Sequence, residues 1–246
     1  MVENIGMRNL EELCSQKPIE GFCFIIGSGP SLHFQDLGFL KDHTTITINA
    51  GFLRYPKAEF FLSDDQDSAG WDYFTEDLKN ADTQVLLYED KYRKFGDFKQ
   101  CQKLFGDRLV GFQHRQGNYL TYIYEHDDPK KRVWAGRCSM ISAVHVAYLM
   151  GFRKIVLLGA DCVLHQGKRY FYEFPGQKKP RRLKPFVQKR FRRKIRGYET
   201  ESDLMEINDG WNLVSLNTEN HCQIYNGSHL SVIRWFPKID LEQFSE

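Results

Sequence analysis

The stretch FCFIIGSGPSL at residues 22–32 limits the possible folds more than any other part of the chain. Five consecutive apolar residues, 22–26, suit a strand buried on both faces. Gly27 and Gly29 permit positive φ and close backbone approach, and Pro30 is pre-set for the first turn of a helix. A strand, a glycine turn and a helix start aim backbone N–H groups and a helix dipole at one point, which favours a phosphate. The turn differs from a dinucleotide fingerprint, because Leu32 stands where a third glycine would be. It also differs from a P-loop, because no Gly-Lys-Ser/Thr follows. An ordinary tight strand-to-helix turn has the same composition. If the turn holds a ligand, Gly29→Val should block it while sparing the fold.

The rest of the chain repeats the strand-and-helix alternation. Strands are expected at 45–48, 58–62, 84–88, 109–112, 154–158 and 223–225. Helices are expected at 8–15, 67–80 and 139–150, the last closed by Gly151. The aromatic and charged stretch 118–131 fits no element. This order predicts an α/β fold: a single Rossmann-like domain over residues 1–246, with a mostly parallel sheet and helices on both faces. Several strands end in small or polar residues, at Gly27-Ser28-Gly29, Asn49, Ser63-Asp64 and Gly159–Asp161. In parallel sheets such ends lie along one edge, where ligands bind, so these groups should converge. Polar residues also end strands that bind nothing.

Composition excludes some classes. The net charge of +2 gives no global pull toward nucleic acid. The first residues lack an apolar signal core, and the apolar stretch 155–164 is too short to span a bilayer. Six scattered cysteines without a CxxC argue for reduced thiols in the cytoplasm and against zinc.

Residues 27–32 (GSGPSL), the strand ending in Asn49, and SMISAVHVAYLMGFRKIVLLGAD at 139–161 together resemble the MptE-like family of Rossmann-type proteins. That family includes the archaeal 6-hydroxymethylpterin diphosphokinase and many phage and bacterial proteins. The same residues resemble the related bacterial sialyltransferases that use CMP-sialic acid. The resemblance implies a nucleotide site built from Gly27, Ser28, Gly29, Pro30, Ser31, Asn49, Ser63, Asp64 and Ser139. It also implies that Asp161 is the Gly-x-Asp aspartate at a strand end, and that Tyr170 hydrogen-bonds the leaving phosphate. The chain departs from the sialyltransferases at three places. Ser28 replaces an Asn, Val163 replaces a second tyrosine, and Gly197-Tyr198 stands where they carry a Gly-His base. A neutral tyrosine is a poor general base at neutral pH.

Further candidates come from the residues themselves. His165 follows Asp161 on a loop, and Glu173 lies beside Tyr170, so the acceptor base is open between His165, Glu173 and Asp64. Asp64, Asp65 and Asp67 could hold Mg²⁺ with a donor's phosphates, or simply complement a helix N-terminus. His145, inside the 139–150 helix, reads as structural, and Cys138 as a small pocket residue. Residues 178–196 carry eleven Lys and Arg, no acid, and interleaved Phe186 and Phe191. They read as a basic lid, within 163–198, that attracts an anionic acceptor through groups such as Arg190, Arg192 and Arg193, or as a solvated basic loop. The favoured function is a nucleotide-dependent glycosyltransferase with a CMP- or UDP-type sugar donor and an anionic glycan or nucleic acid as acceptor. The alternatives are a diphosphokinase using ATP and Mg²⁺, and a non-catalytic nucleic-acid-binding module.

Overall fold

Short runs rich in β-branched, aromatic and leucine residues form seven of the eight strands in the computed structural model, the exception being the two-residue edge strand Arg8–Asn9. The structure describes residues 8–15, 17–94, 98–115, 132–134, 138–183 and 201–244. The strands are β1 (Arg8–Asn9), β2 (Cys23–Ile26), β3 (Thr44–Ile48), β4 (Phe60–Ser63), β5 (Gln84–Tyr88), β6 (Leu109–Phe112), β7 (Lys154–Leu158) and β8 (Gln223–Asn226). They make one sheet in the order β1-β6-β5-β4-β3-β2-β7-β8, and every pairing is parallel. From β2 the chain builds outward through β3, β4, β5 and β6, then returns to place β7 on the other side of β2. The order therefore reverses between β2 and β7, which is where an open α/β sheet leaves a crevice at its carboxyl edge.

Side chains alternate between the two faces. On one face Ile25, Ile46, Leu62, Leu86 and Leu157 pack with the helix α4 described below. The other face carries two apolar clusters. Phe61, Val85, Leu87 and Leu109 lie under Phe74, Phe98 and Phe105, whereas Phe24, Ile26, Val156 and Leu158 lie under Leu32, Phe39 and Phe171. Between them β3 presents Thr45 and Thr47, both buried. Their hydroxyls are used locally: Thr47 Oγ1 donates to Phe60 O at 3.3 Å, and Thr45 Oγ1 accepts from Glu59 N–H at 3.2 Å.

The helices are α1 (Leu78–Asn80), α2 (Glu89–Lys94), α3 (Phe98–Phe105), α4 (Ser139–Leu149) and α5 (Glu201–Thr218). Ten of the eleven residues of α4 are buried, which explains its nearly all-round apolar sequence. Gly151 follows it with φ +109°, as expected of a left-handed helix stop. His145 is structural, as expected: its Nδ1 accepts from the Trp134 N–H at 2.7 Å and ties residues 132–134 to α4.

Three helix expectations need correction. Residues 8–15 form β1 and a 3-10 turn (Leu10–Leu13), because Arg8 and Asn9 pair with the edge of β6. The stretch 67–80 is broken into a 3-10 turn (Gln66–Gly70), a π-helical turn (Tyr73–Asp77) and α1. The break falls where Asp72 N–H donates to Arg181 O at 2.9 Å, outside any helix. Pro30 opens a five-residue 3-10 turn (Pro30–Phe34) rather than an α-helix. Conversely α2, α3 and α5 were not anticipated. Residues 118–131 lie outside the described residues.

The glycine turn also differs from expectation. Neither Gly27 nor Gly29 has positive φ. Close approach is what requires them: a Cβ on Gly27 would meet Gly159 O at 2.7 Å, and one on Gly29 would meet Gly159 O at 2.6 Å and the Asp161 carboxylate. Substitution at Gly29 therefore strains the fold itself, contrary to the expectation that Gly29→Val would spare it. Gly29→Ala should lower the unfolding free energy by about 1–3 kcal/mol, the range for overpacking a tight interior. Urea denaturation measures this, and an unchanged midpoint would show that the two loops part freely.

Candidate active site

A cleft of about 650 Å³ lies along the carboxyl edge of the sheet. This volume is within the range of small-molecule sites. Its lining comes from the ends of β2 (Gly27, Ser28, Gly29, Pro30), β3 (Ile48, Asn49), β4 (Asp64, Asp65), β5 (Tyr88), β6 (His114) and β7 (Gly159 to Val163). The start of α4, the loop residues Arg169 and Tyr170, and Leu204, Ile207 and Trp211 of α5 complete it. The expected convergence of strand ends is therefore present.

The loops after β2 and β7 are locked together. Gly27 N–H donates to Leu158 O at 2.8 Å, Gly29 N–H to Gly159 O at 2.9 Å, and Ser31 N–H to Asp161 Oδ2 at 2.7 Å. These N–H groups were expected to face a phosphate. Instead they are used within the chain, and the carboxylate of Asp161 occupies the anion position at the start of the 3-10 turn. Asp161 is 2% exposed, and its Oδ1 has no hydrogen-bond partner among the described residues. Burial raises its pKa, opposed first by the backbone hydrogen bond from Ser31. Ser31 is fully buried beside this carboxylate and does not line the cleft.

Asn49 has φ +49°, a left-handed conformation that asparagine tolerates better than most residues. Ser68 Oγ donates to Asn49 Oδ1 at 3.0 Å, and the Ser63 and Ser68 hydroxyls lie 2.8 Å apart. The amide NH₂ end of Asn49 is thus the end left to meet a ligand. Ser63 is fully buried behind this link and does not line the cleft. It positions Asn49 rather than facing the cleft as a contact.

Asp64 is gripped by α4. Ser139 Oγ donates to its Oδ1, and Ser142 Oγ donates to its Oδ2 at 2.9 Å. His114 Nε2 lies 3.7 Å from Oδ2. Two of the expected nucleotide contacts, Asp64 and Ser139, are therefore partners of each other. Among the described residues no group of three or more His, Cys, Asp or Glu side chains is arranged to hold a metal. Cys138 lines the cleft, and burial pushes its thiol up to about 12, so it is a neutral wall residue.

On the loop after β7, Tyr170 stacks on Tyr172 (5.0 Å between centroids, 16°), and the Arg169 guanidinium lies 5.5 Å from the Tyr170 ring. Burial raises the Tyr170 pKa, which keeps the phenol a neutral hydrogen-bond donor. Glu173 is exposed and outside the cleft. Its Oε2 accepts from the N–H groups of Arg169 and Tyr170, at 2.5 and 3.0 Å, so it shapes the loop that presents them. His165 is also outside the cleft lining. It packs edge-on against Phe34, and its backbone pairs with Lys168.

Arg190, Arg192, Arg193, Phe186 and Phe191 lie outside the described residues. The start of the basic segment is described, and it is docked. Lys178 Nζ lies 2.6 Å from Asp77 Oδ1, Arg181 NH2 lies 3.3 Å from Glu76 Oε1, and Arg182 pairs with Trp71 in an antiparallel bridge.

Sequence reasoning missed His114, Tyr88 and the α5 wall. His114 falls two residues beyond β6, so the convergence rule used for the other strand ends would have found it. Leu204, Ile207, Trp211 and Val214 recur at helical spacing and form the stripe that marks α5.

No family profile and no characterised protein sequence matches the chain. Solved structures do share its fold. The MAf glycosyltransferase from Magnetospirillum magneticum AMB-1 superposes with a TM-score of 0.57 at 13% identity, over 92% of this chain and 34% of that one. This chain thus spans about a third of the length of that enzyme. The sialyltransferase CstII from Campylobacter jejuni in complex with cytidine-5'-monophosphate superposes at 0.51, with 14% identity, over 89% of this chain and 85% of that one. CstII in complex with CMP-3FNeuAc gives 0.50 and 15%, over 88% and 85%. The α/β architecture is therefore that of solved glycosyltransferases.

The Asp161 link gives a pH prediction. A carboxyl whose pKa is raised on folding binds its proton more tightly in the folded state. Its stabilising effect is then greatest below the ordinary value of 3.8 and declines as pH rises from there to the raised folded value. Asp161→Asn keeps an acceptor for the Ser31 N–H and should flatten that decline. Asp161→Ala removes the acceptor and should cost about 1–3 kcal/mol relative to Asp161→Asn. Denaturant titrations across acidic to neutral pH measure both effects, and equal pH slopes in wild type and Asp161→Asn would refute the assignment.

Proposed function

We propose that the chain is a glycosyltransferase that takes a nucleotide sugar of the CMP type into the carboxyl-edge cleft. The observation that carries this reading is the cleft at the β2/β7 strand switch, on a fold shared with a transferase solved with CMP. Asn49 offers its amide NH₂, and Ser28 and the neighbouring glycines form a floor that lets a ligand approach the backbone. Ile207 and Trp211 supply an apolar wall that excludes water. Tyr170 and Arg169 line the cleft and would offer a hydrogen bond and a positive charge to the donor's phosphate. Such contacts strengthen as the departing phosphate gains charge, so they favour the transition state over the ground state.

The acceptor fits an anionic glycan on this reading, because residues 178–196 carry eleven Lys and Arg and no acid. The described residues add no observation in favour of nucleic acid. No helix among the described residues is long and apolar enough to cross a membrane.

Thermal unfolding with CMP, UDP, GDP and ATP, each with and without Mg²⁺, tests the donor. CMP should stabilise the protein without metal, by about 2.7 kcal/mol at 100 times its Kd. Stabilisation by ATP with Mg²⁺ alone would move the assignment to the diphosphokinase. Tyr170→Phe should then lower donor turnover by about 10²-fold while changing CMP affinity little, as expected for a donor acting on developing charge. Equal turnover in this variant would remove Tyr170 from the reaction.

A further inference from the structure

The cleft holds a histidine, His114, just past the end of β6. Of the His33, His114, His145, His165 and His229 side chains near the sheet's carboxyl edge or α4, His114 alone is among the residues lining the cleft. Three features fix its imidazole. Its ring stacks on Tyr88, 3.8 Å between centroids and 21° between planes. Its backbone segment is bonded to the strand beside it: Val133 N–H donates to Gln113 O and Arg115 N–H to Val133 O, both at 2.8 Å. Its Nε2 lies 3.7 Å from Asp64 Oδ2. Asp64 is itself fixed by the hydroxyls of Ser139 and Ser142. A carboxylate held by the scaffold beside an imidazole orients the ring and stabilises its protonated form.

We propose that His114 is the general base that activates the acceptor hydroxyl, with Asp64 as its positioning residue. This rests on the glycosyltransferase reading. The acceptor oxygen attacks the donor's anomeric carbon and forms the new C–O bond. Its proton passes to Nδ1 of His114, because Nε2 is buried on the Asp64 side of the ring. The bond from the anomeric carbon to the phosphate oxygen breaks, and the phosphate leaves with the electron pair. Asp64 balances the imidazolium until the proton is released to water. Charged or titratable groups near the ring include Asp64 and Tyr88, Asp65 in the cleft lining, and Arg115 and Arg132 on the two segments joined at Val133; Asp90 and Cys138 lie close to Tyr88 and Asp64. Burial raises the Tyr88 phenol, and Asp90 and Asp64 raise it further. Burial likewise holds the Cys138 thiol neutral. Of these, Asp64 is the carboxylate nearest the imidazole.

The test uses the full chain with CMP-sialic acid as donor probe and lactose as acceptor probe. Wild type, His114→Gln, Asp64→Asn and His165→Gln are compared for CMP affinity by calorimetry and for the pH profile of donor consumption. His114→Gln should keep CMP affinity within about twofold and lose about 10²-fold or more in kcat. It should also lose the acidic limb of the profile, which a merely structural residue would retain. Asp64→Asn should lower kcat and displace that limb. Because this buried substitution can also weaken the fold, His114→Gln carries the decision. Full turnover, or an intact acidic limb, in a His114→Gln protein that binds CMP overturns the base assignment and leaves the donor reading standing. Loss of the limb in His165→Gln also overturns it. A wild-type protein with no affinity for CMP and no donor consumption overturns both.

Discussion

The hydrogen bond from Ser31 N–H to Asp161 Oδ2 fixes the rest of the site. It crosses the point where the sheet order reverses and ties the loop after β2 to the loop after β7. Glycines at 27 and 29 let these loops touch, and the loop carbonyls and carboxylate absorb the N–H groups that face them. The cleft floor is then a rigid double layer of backbone. Its polarity toward a ligand comes from side chains at other strand ends. This explains why the residues that resemble a phosphate turn are structural while Asn49, Tyr170 and Arg169 supply the ligand-facing groups of the proposed function.

The core supports this arrangement unequally on its two faces. One face is sealed by α4, which is buried almost throughout and gives the hydroxyls of Ser139 and Ser142 a fixed position against Asp64. The other face is covered near β2 and β7 by 3-10 turns and aromatic rings, with Phe24, Phe39 and Phe244 in mutual edge and stacked contacts. Thr45 and Thr47 of β3 divide that cover in two. The apolar wall of the cleft comes from the α4 side of the sheet, through Trp211 of α5, which belongs to the same buried cluster as α4 and packs edge-on against Phe236.

The strands were legible because each is a short apolar run closed by a small or polar residue. The predicted positions of β2, β3, β5, β6, β7 and β8 lie within a residue or so of those observed. A mostly parallel sheet followed from the alternation of strands with helices, and the observed sheet is parallel throughout. The 3-10 and π turns were not legible, because they arise from tertiary hydrogen bonds such as Asp72 N–H to Arg181 O, across more than a hundred residues. Of the two roles expected of Gly27 and Gly29, positive φ and close backbone approach, only the second is used, and against the β7 loop. A glycine needed for positive φ and a glycine needed for close packing look alike in sequence, and only Gly159 on the facing loop distinguishes them. Asp161 was correctly placed at a strand end, but its partner on the β2 loop could not be read from spacing. His114 was missed although its position after β6 obeys the rule that found Asn49 and Asp64.

The distance along the chain between the two halves of this seam governs how the molecule comes together. Ser31 and Asp161 are 130 positions apart, whereas Cys23 and Thr44, paired across β2 and β3, are 21 apart. Closing the longer loop from an unfolded chain costs about 1.6 kcal/mol more in entropy, by the logarithmic scaling of loop closure. The strands from β2 to β6 need only near neighbours in sequence and can pair before β7 exists. A chain emerging from the ribosome therefore completes most of its sheet while the cleft has only one wall. Until β7 arrives, β2 presents an unpaired edge, the surface most open to wrong pairing during synthesis. The Gly159–Asp161 loop thus acts as a late fastening, so competence for any ligand marks a chain that has finished folding.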